Sequence, residues 1–242
     1  MERAQWLRKI RQITEGLYDR VSPEYWTAYG SYENDAQCTY IQKFLERIPP
    51  HSTLLSAACG AGRYDGMLLE AGHSVIGIDQ SEGMLSQARN HFPQARYQKT
   101  GLQEMDFEEA FDGMICMDTL EHIFPEDWPV ILKNFQKALK PGGVLYFTLE
   151  LPEEDLEASY GRSRAKGLPV VLGELADEVE DAYARIQEVG TEEHVPGELA
   201  ATAAYHYYPS LEQVRIWLEE AGFKVEEQGT GSGYEHFLVR KK

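Results

Sequence analysis

Gly60 and Gly62 stand in "LLSAACGAGRY", residues 54–64, at the end of a short apolar run, and Asp79 closes the next such run, "HSVIGID". Glycines at the end of a strand let the backbone approach a ligand closely and take torsions closed to other residues. An acid about 20 residues further on is spaced to hold the hydroxyls of a ribose. Loop and acid together point to an adenosine-containing cofactor, which the loop alone would not.

The neighbouring residues narrow the choice. A dinucleotide fingerprint would continue from Gly60-Ala61-Gly62 to a small residue near position 65, where this chain has Asp65. A carboxylate facing a pyrophosphate is repulsive, so a nicotinamide dinucleotide fits poorly. A phosphate loop of the Lys-Ser/Thr type lacks its lysine here. S-adenosylmethionine (SAM) carries no phosphate and bears a sulfonium cation, so the loop tolerates it.

Methyl transfer from such a donor is an in-line displacement, and alignment of nucleophile, methyl and sulfur supplies most of its acceleration. A general base is required only where the nucleophile arrives protonated, as a phenol or an ammonium does. Two histidines are candidates. His122 follows Glu121 in "DTLEHI", where shaping the loop is the competing role, and His206 lies in "AAYHYYPS". His194 reads as a solvated residue. Tyrosines gather in two stretches, with Tyr18, Tyr25, Tyr29 and Tyr32 near the start and Tyr160, Tyr205, Tyr207 and Tyr208 later. Aromatic faces suit a flat substrate or a cationic amine. Packing of an amphipathic N-terminal helix accounts for some of them. Arg63 could meet a ligand carboxylate or pair with an acid, and the sequence leaves both open.

Strands alternating with helices must position these groups. "STLLSAAC", "HSVIGID", "ARYQKT", "FDGMICMD" and "GVLYFTLE" read as strands, separated by helix-like segments, the clearest being "SEGMLSQARNHF" and "PEDWPVILKNFQKALK". Ser81 is the expected cap of the first of these, and Pro141-Gly142-Gly143 the stop of the second. Such alternation implies β-α-β units and a parallel sheet covered on both faces. Ligands of such sheets bind beyond the carboxyl ends of the strands, where the strand order reverses. After the helix "SLEQVRIWLEEAGF", "KVEEQGTG" and "YEHFLVRK" read as an antiparallel pair closing one edge. Residues 152–208 break the pattern, and an insertion of that length predicts a helical cap.

Of the 242 residues, 43% are hydrophobic and 26% charged, the profile of a globular chain with a substantial core. The net charge is −17, and residues 151–200 carry 13 acids against 4 bases. So acidic a surface repels phosphate backbones, which argues against nucleic acid as a partner. Cys38, Cys59 and Cys116 are too dispersed for a disulfide framework or a zinc site, so no metal is expected. No run approaches the roughly 18 apolar residues of a membrane helix, and the charged start has no apolar leader core. The expectation is a cytoplasmic monomer or homodimer acting on a small molecule.

"LLSAACGAGRYDGMLLEAGHSVIGIDQSEGMLSQAR", "FDGMICMDTLEHI" and "LKPGGVLYFT", taken in order, resemble the class I SAM-dependent methyltransferases, in the group near the ubiquinone and menaquinone enzymes. The resemblance covers residues 50–150, and "SLEQVRIWLEEAGF" resembles a later helix of the same family. It implies an α/β, Rossmann-like sheet of seven strands, mostly parallel with an antiparallel last strand, helices on both faces, and a helical cap insertion. Residues 1–50 would cover the cofactor site, 51–151 and 209–242 would form the core, and 152–208 the substrate insertion. The backbone at Ala58, Gly60 and Gly62 would lie against the methionine part of SAM, with Arg63 a candidate for its carboxylate if it does not pair with an acid. Asp79 would hold the ribose, Gln80 and Met84 would flank the adenine, Met117 would sit near the sulfonium, and Tyr18 would cover the cofactor. The family's acid for the adenine amine is Gly101 here, so Leu102 or Gln103 would serve. Two departures stand in the loop. Ser56 replaces an acid that orients it, and Ala58 replaces a glycine, which is harmless where its φ is negative. Tyr29, Tyr32, Tyr160, Tyr205 and Tyr207 would face the acceptor. A non-catalytic SAM-binding protein and a nicotinamide-dependent oxidoreductase are the competing readings.

Overall fold

Leu54 and Leu55 are neighbours in sequence and both fully buried, so the strand that carries them is covered on both faces. The computed structural model describes residues 3–30, 34–151 and 207–242. In it this strand, β1 (Thr53–Ala57), lies near the middle of a seven-stranded sheet with β2 (Ser74–Asp79), β3 (Arg96–Lys99), β4 (Phe111–Cys116), β5 (Leu139–Glu150), β6 (Phe223–Gly231) and β7 (Tyr234–Lys241). The order is β3-β2-β1-β4-β5-β7-β6. Strands β1 to β5 pair in parallel, whereas β7 runs antiparallel to both β5 and β6. The expected antiparallel pair thus closes one edge, with β7 inside and β6 outermost. The chain order reverses between β1 and β4, which creates the crevice where ligands of such sheets bind.

Period-two alternation assigns the two faces. Leu145, Phe147 and Leu149 of β5 pack with α5 (Trp128–Ala138) through Ile131, Leu132 and Phe135, and with α6 (Leu211–Glu220) through Val214 and Leu218. Val144 and Tyr146 point the other way, to Ile41 and Phe44 of α2 (Asp35–Leu45) and Leu68 of α3 (Asp65–Glu70). Trp128 stacks on Trp217 at 5.2 Å, tying α5 to α6. Each fully buried Phe or Leu contributes about 1.5–3 kcal/mol.

Caps follow the sequence. Ser81 accepts a bond from Met84 N–H at the start of α4 (Glu82–His91), as expected, and Ser210 does the same for α6. α5 ends at Ala138, and Leu139 already pairs with Phe111, so the strand begins before the expected Pro-Gly-Gly stop. α3 begins only at Asp65, because residues 58–64 form an irregular turn. A 23-residue helix, α1 (Arg3–Tyr25), precedes the sheet and packs on α4. The expected cap, with His194, lies outside the described residues, as do Tyr32, Tyr160, Tyr205 and His206.

Candidate active site

Beyond the carboxyl ends of β1, β2 and β4 lies a cavity of about 1250 Å³, counting its open mouth. Its roof is one face of α1, where Arg11, Thr14, Tyr18 and Tyr25 recur at helical spacing. Ala58, Gly60, Arg63, Asp79, Gln80, Met84, Leu102, Gln103, Met117 and His122 all line it, so most of the expected cofactor set meets in one place. Gly62 is not among the lining residues. At φ +81 it turns the loop, and a β-carbon there would lie 3.0 Å from the Asp65 carboxylate and 3.1 Å from Phe92.

Ala58 has φ +49, in the left-handed region, so the condition under which alanine would be harmless there is not met. The strand-to-turn geometry imposes a glycine torsion on a residue with a β-carbon, at a cost of roughly 1–2 kcal/mol. Ala58→Gly removes this strain but loosens the unfolded chain, which offsets about 0.4–1 kcal/mol of the gain. The expected result is a melting temperature higher by about 1–3 °C. A fall on calorimetry would show that the loop is not strained there.

Asp79 is organised by the loop itself. One carboxylate oxygen accepts the Gly60 N–H at 2.9 Å and the other the Ser81 N–H at 2.8 Å. Burial pushes its carboxyl up, and these two bonds pull it back. Each oxygen keeps an acceptor position, which is what a vicinal diol requires. Asp19 of α1 accepts from Ser81 Oγ at 2.6 Å and from Gly83 N–H at 2.8 Å, fastening the roof to the start of α4.

Ser56 and Asp65 lie beneath the loop. Asp65 is wholly buried, takes a bond from the Tyr97 hydroxyl at 2.9 Å, and sits beside the Ser56 hydroxyl. Burial pushes its carboxyl up, against the pull of both hydroxyls. It does not line the cavity, so the expected clash with a pyrophosphate does not arise. The objection to a dinucleotide is different. A buried carboxyl fills the helix–strand contact that the third glycine of that fingerprint keeps clear.

The other end of the cavity holds a group that sequence reasoning missed. Asp118 follows Met117 and takes φ +49. Its carboxylate pairs with Arg63 and accepts from Gln37 Nε2, while Tyr64 donates to the Gln37 side-chain oxygen. Its own N–H donates to Thr148 Oγ1 at 2.9 Å. Of the two roles left open for Arg63, pairing with an acid is the one this contact shows. Burial raises the Asp118 carboxyl, and the Arg63 charge opposes that. An acid at the end of a strand was visible in "MDTLEH", but its partners come from α2 and the turn, far away in sequence.

Glu121 is buried, with one carboxyl oxygen unbonded, and burial drives its carboxyl well above the usual range. Tyr207 N–H donates to the Glu121 carbonyl at 2.7 Å, but Tyr207 itself does not line the cavity. Tyr29 is also outside the wall, with its ring 5.0 Å from that of Tyr25. Burial pushes the Tyr25 phenol up to about 12, so it stays neutral near pH 7. Arg11, Thr14, Tyr25 and Asp127 join the wall without having been expected there. No cluster of metal-ligating side chains occurs among the described residues, and no helix among them is long and apolar enough to cross a membrane.

Residues 54–143 match a family model described as a methyltransferase domain. The chain is 28% identical over 141 residues to the ubiquinone biosynthesis O-methyltransferase of Coxiella burnetii, covering 54% of this chain and 58% of that protein. The corresponding protein of Actinobacillus pleuropneumoniae is 27% identical over 157 residues, covering 59% and 66%. The chain therefore spans under two thirds of the length of these relatives. Among solved structures, it resembles the 1,6-didemethyltoxoflavin-N1-methyltransferase of Burkholderia thailandensis with TM-score 0.62 and 17% identity, over 97% of this chain and 90% of that one. The magnesium protoporphyrin IX methyltransferase of Synechocystis gives TM-score 0.56 and 16% identity, over 100% and 89%. At these identities the likeness to solved structures is one of fold.

Proposed function

We propose that this chain, whose residues 54–143 match a methyltransferase domain, is a class I enzyme that transfers a methyl group from SAM to a small aromatic or amine-bearing metabolite. The observation that carries the reading is one cavity joining a prearranged Asp79 to Met117, Asp118 and His122 under a tyrosine-bearing roof. The residues fit the cofactor: two carboxylate oxygens with acceptor capacity suit a ribose diol, and the described wall offers no lysine for a phosphate chain. When bound, SAM supplies an electrophilic methyl on a good leaving group.

This chain's residues then orient and exclude water. Asp79 holds the ribose, the 58–60 backbone supports the methionine chain, and Tyr18 and Tyr25 cover the reacting centre. Aromatic faces there favour a developing or departing cation. His122 in the cavity wall is the described candidate for taking a proton from a phenol or ammonium acceptor, and His206 is the second candidate. Holding the partners in line accounts for the larger part of the acceleration.

Thermal melts with SAM, S-adenosylhomocysteine and NAD test the assignment. A ligand at 100 times its Kd stabilises by about 2.7 kcal/mol. Shifts with the first two and none with NAD are expected, followed by S-adenosylhomocysteine release with a panel of phenols and amines. No shift with either sulfur ligand sinks the reading, and binding without turnover favours a non-catalytic SAM-binding protein.

A further inference from the structure

Asp127 stands at the start of α5 but does not behave as a helix cap. Aspartate at that position ordinarily accepts a bond from the first turn of N–H groups. Here the side chain makes no such bond. It turns into the cavity wall instead, where its Oδ2 accepts from Gln103 Nε2 at 3.2 Å and from Arg11 Nη1 at 3.0 Å. Both donors converge on one oxygen, and no donor among the described residues reaches the other, Oδ1. The side chain is 14% exposed and lines the cavity.

The loop opposite is held by the same helix. Asn134 of α5 donates to the carbonyls of Leu102 and Gln103 at 2.9 and 3.1 Å, which locks residues 102–103 against Asp127. The Leu102 N–H has no acceptor among the described residues. An acceptor and a neighbouring donor are therefore set side by side in a rigid wall. Strand order puts this wall beyond Asp79 from the methionine end, because the loop follows β3, on the far side of β2 from β1 and β4.

We propose that Asp127, oriented by Gln103 and Arg11, reads the exocyclic amine of the cofactor's base, with the Leu102 N–H bonding the adjacent ring nitrogen. The inference rests on the SAM reading above and gives the missing acid at position 101 a replacement from a different segment of the chain. Adenine presents a donor beside an acceptor, the complement of this pair. Hypoxanthine presents a carbonyl and a ring N–H, which would oppose both groups. A site built to bond an amine rejects the analogue that lacks it more strongly than an apolar pocket does.

The test is calorimetric titration of the wild type, Asp127→Asn, Asp127→Ala and Arg11→Gln with S-adenosylhomocysteine and S-inosylhomocysteine, each variant first checked for a cooperative melt. The wild type should prefer the adenosyl compound. Asp127→Asn and Asp127→Ala should each lose roughly 10- to 100-fold in adenosyl affinity, the effect of one hydrogen bond to a charged group. Their preference over the inosyl compound should collapse. Arg11→Gln, which removes one of the two donors that orient Asp127 and leaves Gln103 in place, should lower that preference by less than either Asp127 variant. Unchanged discrimination in the Asp127 variants overturns the proposal. So does an equal loss in Arg11→Gln, which would make Asp127 a fastening for α1. A wild type that binds neither compound overturns the SAM reading itself, a result distinct from both.

Discussion

Asp79→Ala is expected to remove the thermal shift given by S-adenosylhomocysteine while leaving the melting of the ligand-free protein within a few degrees of wild type. The carboxylate would make two charge-assisted bonds to the ribose, each contributing about 1.5–3 kcal/mol, so affinity should fall by roughly two to four orders of magnitude. The ligand-free protein is affected less because two effects oppose one another. Burial raises the Asp79 carboxyl, a cost that alanine relieves, while Gly60 and Ser81 lose their acceptors. His122→Ala is the comparison. It lines the cavity but lies past β4, away from the ribose, so its shift with the same ligand should persist. Loss of binding in His122→Ala, or a retained full shift in Asp79→Ala, would mean that the nucleoside lies elsewhere in the cavity.

Gly83→Val should undock the roof. A β-carbon at Gly83 would lie 2.4 Å from Ser22 Oγ and 3.1 Å from the Asp19 backbone, and backbone cannot move aside as a side chain can. The same residue's N–H donates to Asp19 Oδ1, so forcing the helices apart also breaks the bonds that tie α1 to α4. Overpacking of this kind costs about 1–3 kcal/mol. Because Tyr18 and Tyr25 ride on α1, cofactor affinity should fall with it, and limited proteolysis should cut within residues 3–30 before the sheet. Core strands should keep their protection, since β1 and β4 are held mainly by pairing with each other and with β2 and β5. Intact affinity with an uncut N-terminal segment would show that the roof adapts to the larger side chain.

Much of this was legible in one dimension because it depends on local spacing. The alternation of strands and helices, Ser81 as a cap, and the 19-residue interval from Gly60 to Asp79 need only the chain's own periodicities. In the acid-deficient loop the torsion of Ala58 was left open and the placement of Asp65 was misread, for a common reason. Whether Ala58 takes a positive φ is set by how β1 hands the chain to the turn. Whether Asp65 faces ligand or core is set by Tyr97, 32 residues away on the neighbouring strand. Asp118 and Asp127 escaped notice because an acid gains meaning from its partners. Those are Arg63 and Gln37 for one, and Gln103 and Arg11 for the other.

The residues alone determined the class of fold and pointed to the kind of cofactor proposed here, since strand periodicity, glycine placement and one acid at a set interval are written along the chain. The tertiary structure decided which groups form the cavity wall: α1 as its roof, Asp65 withdrawn beneath the loop, and Asp118 and Asp127 at opposite ends. The physical reason is range. Backbone periodicity and capping act over a few residues, whereas the burial and pairing of a charge depend on segments that only folding brings within a few ångströms.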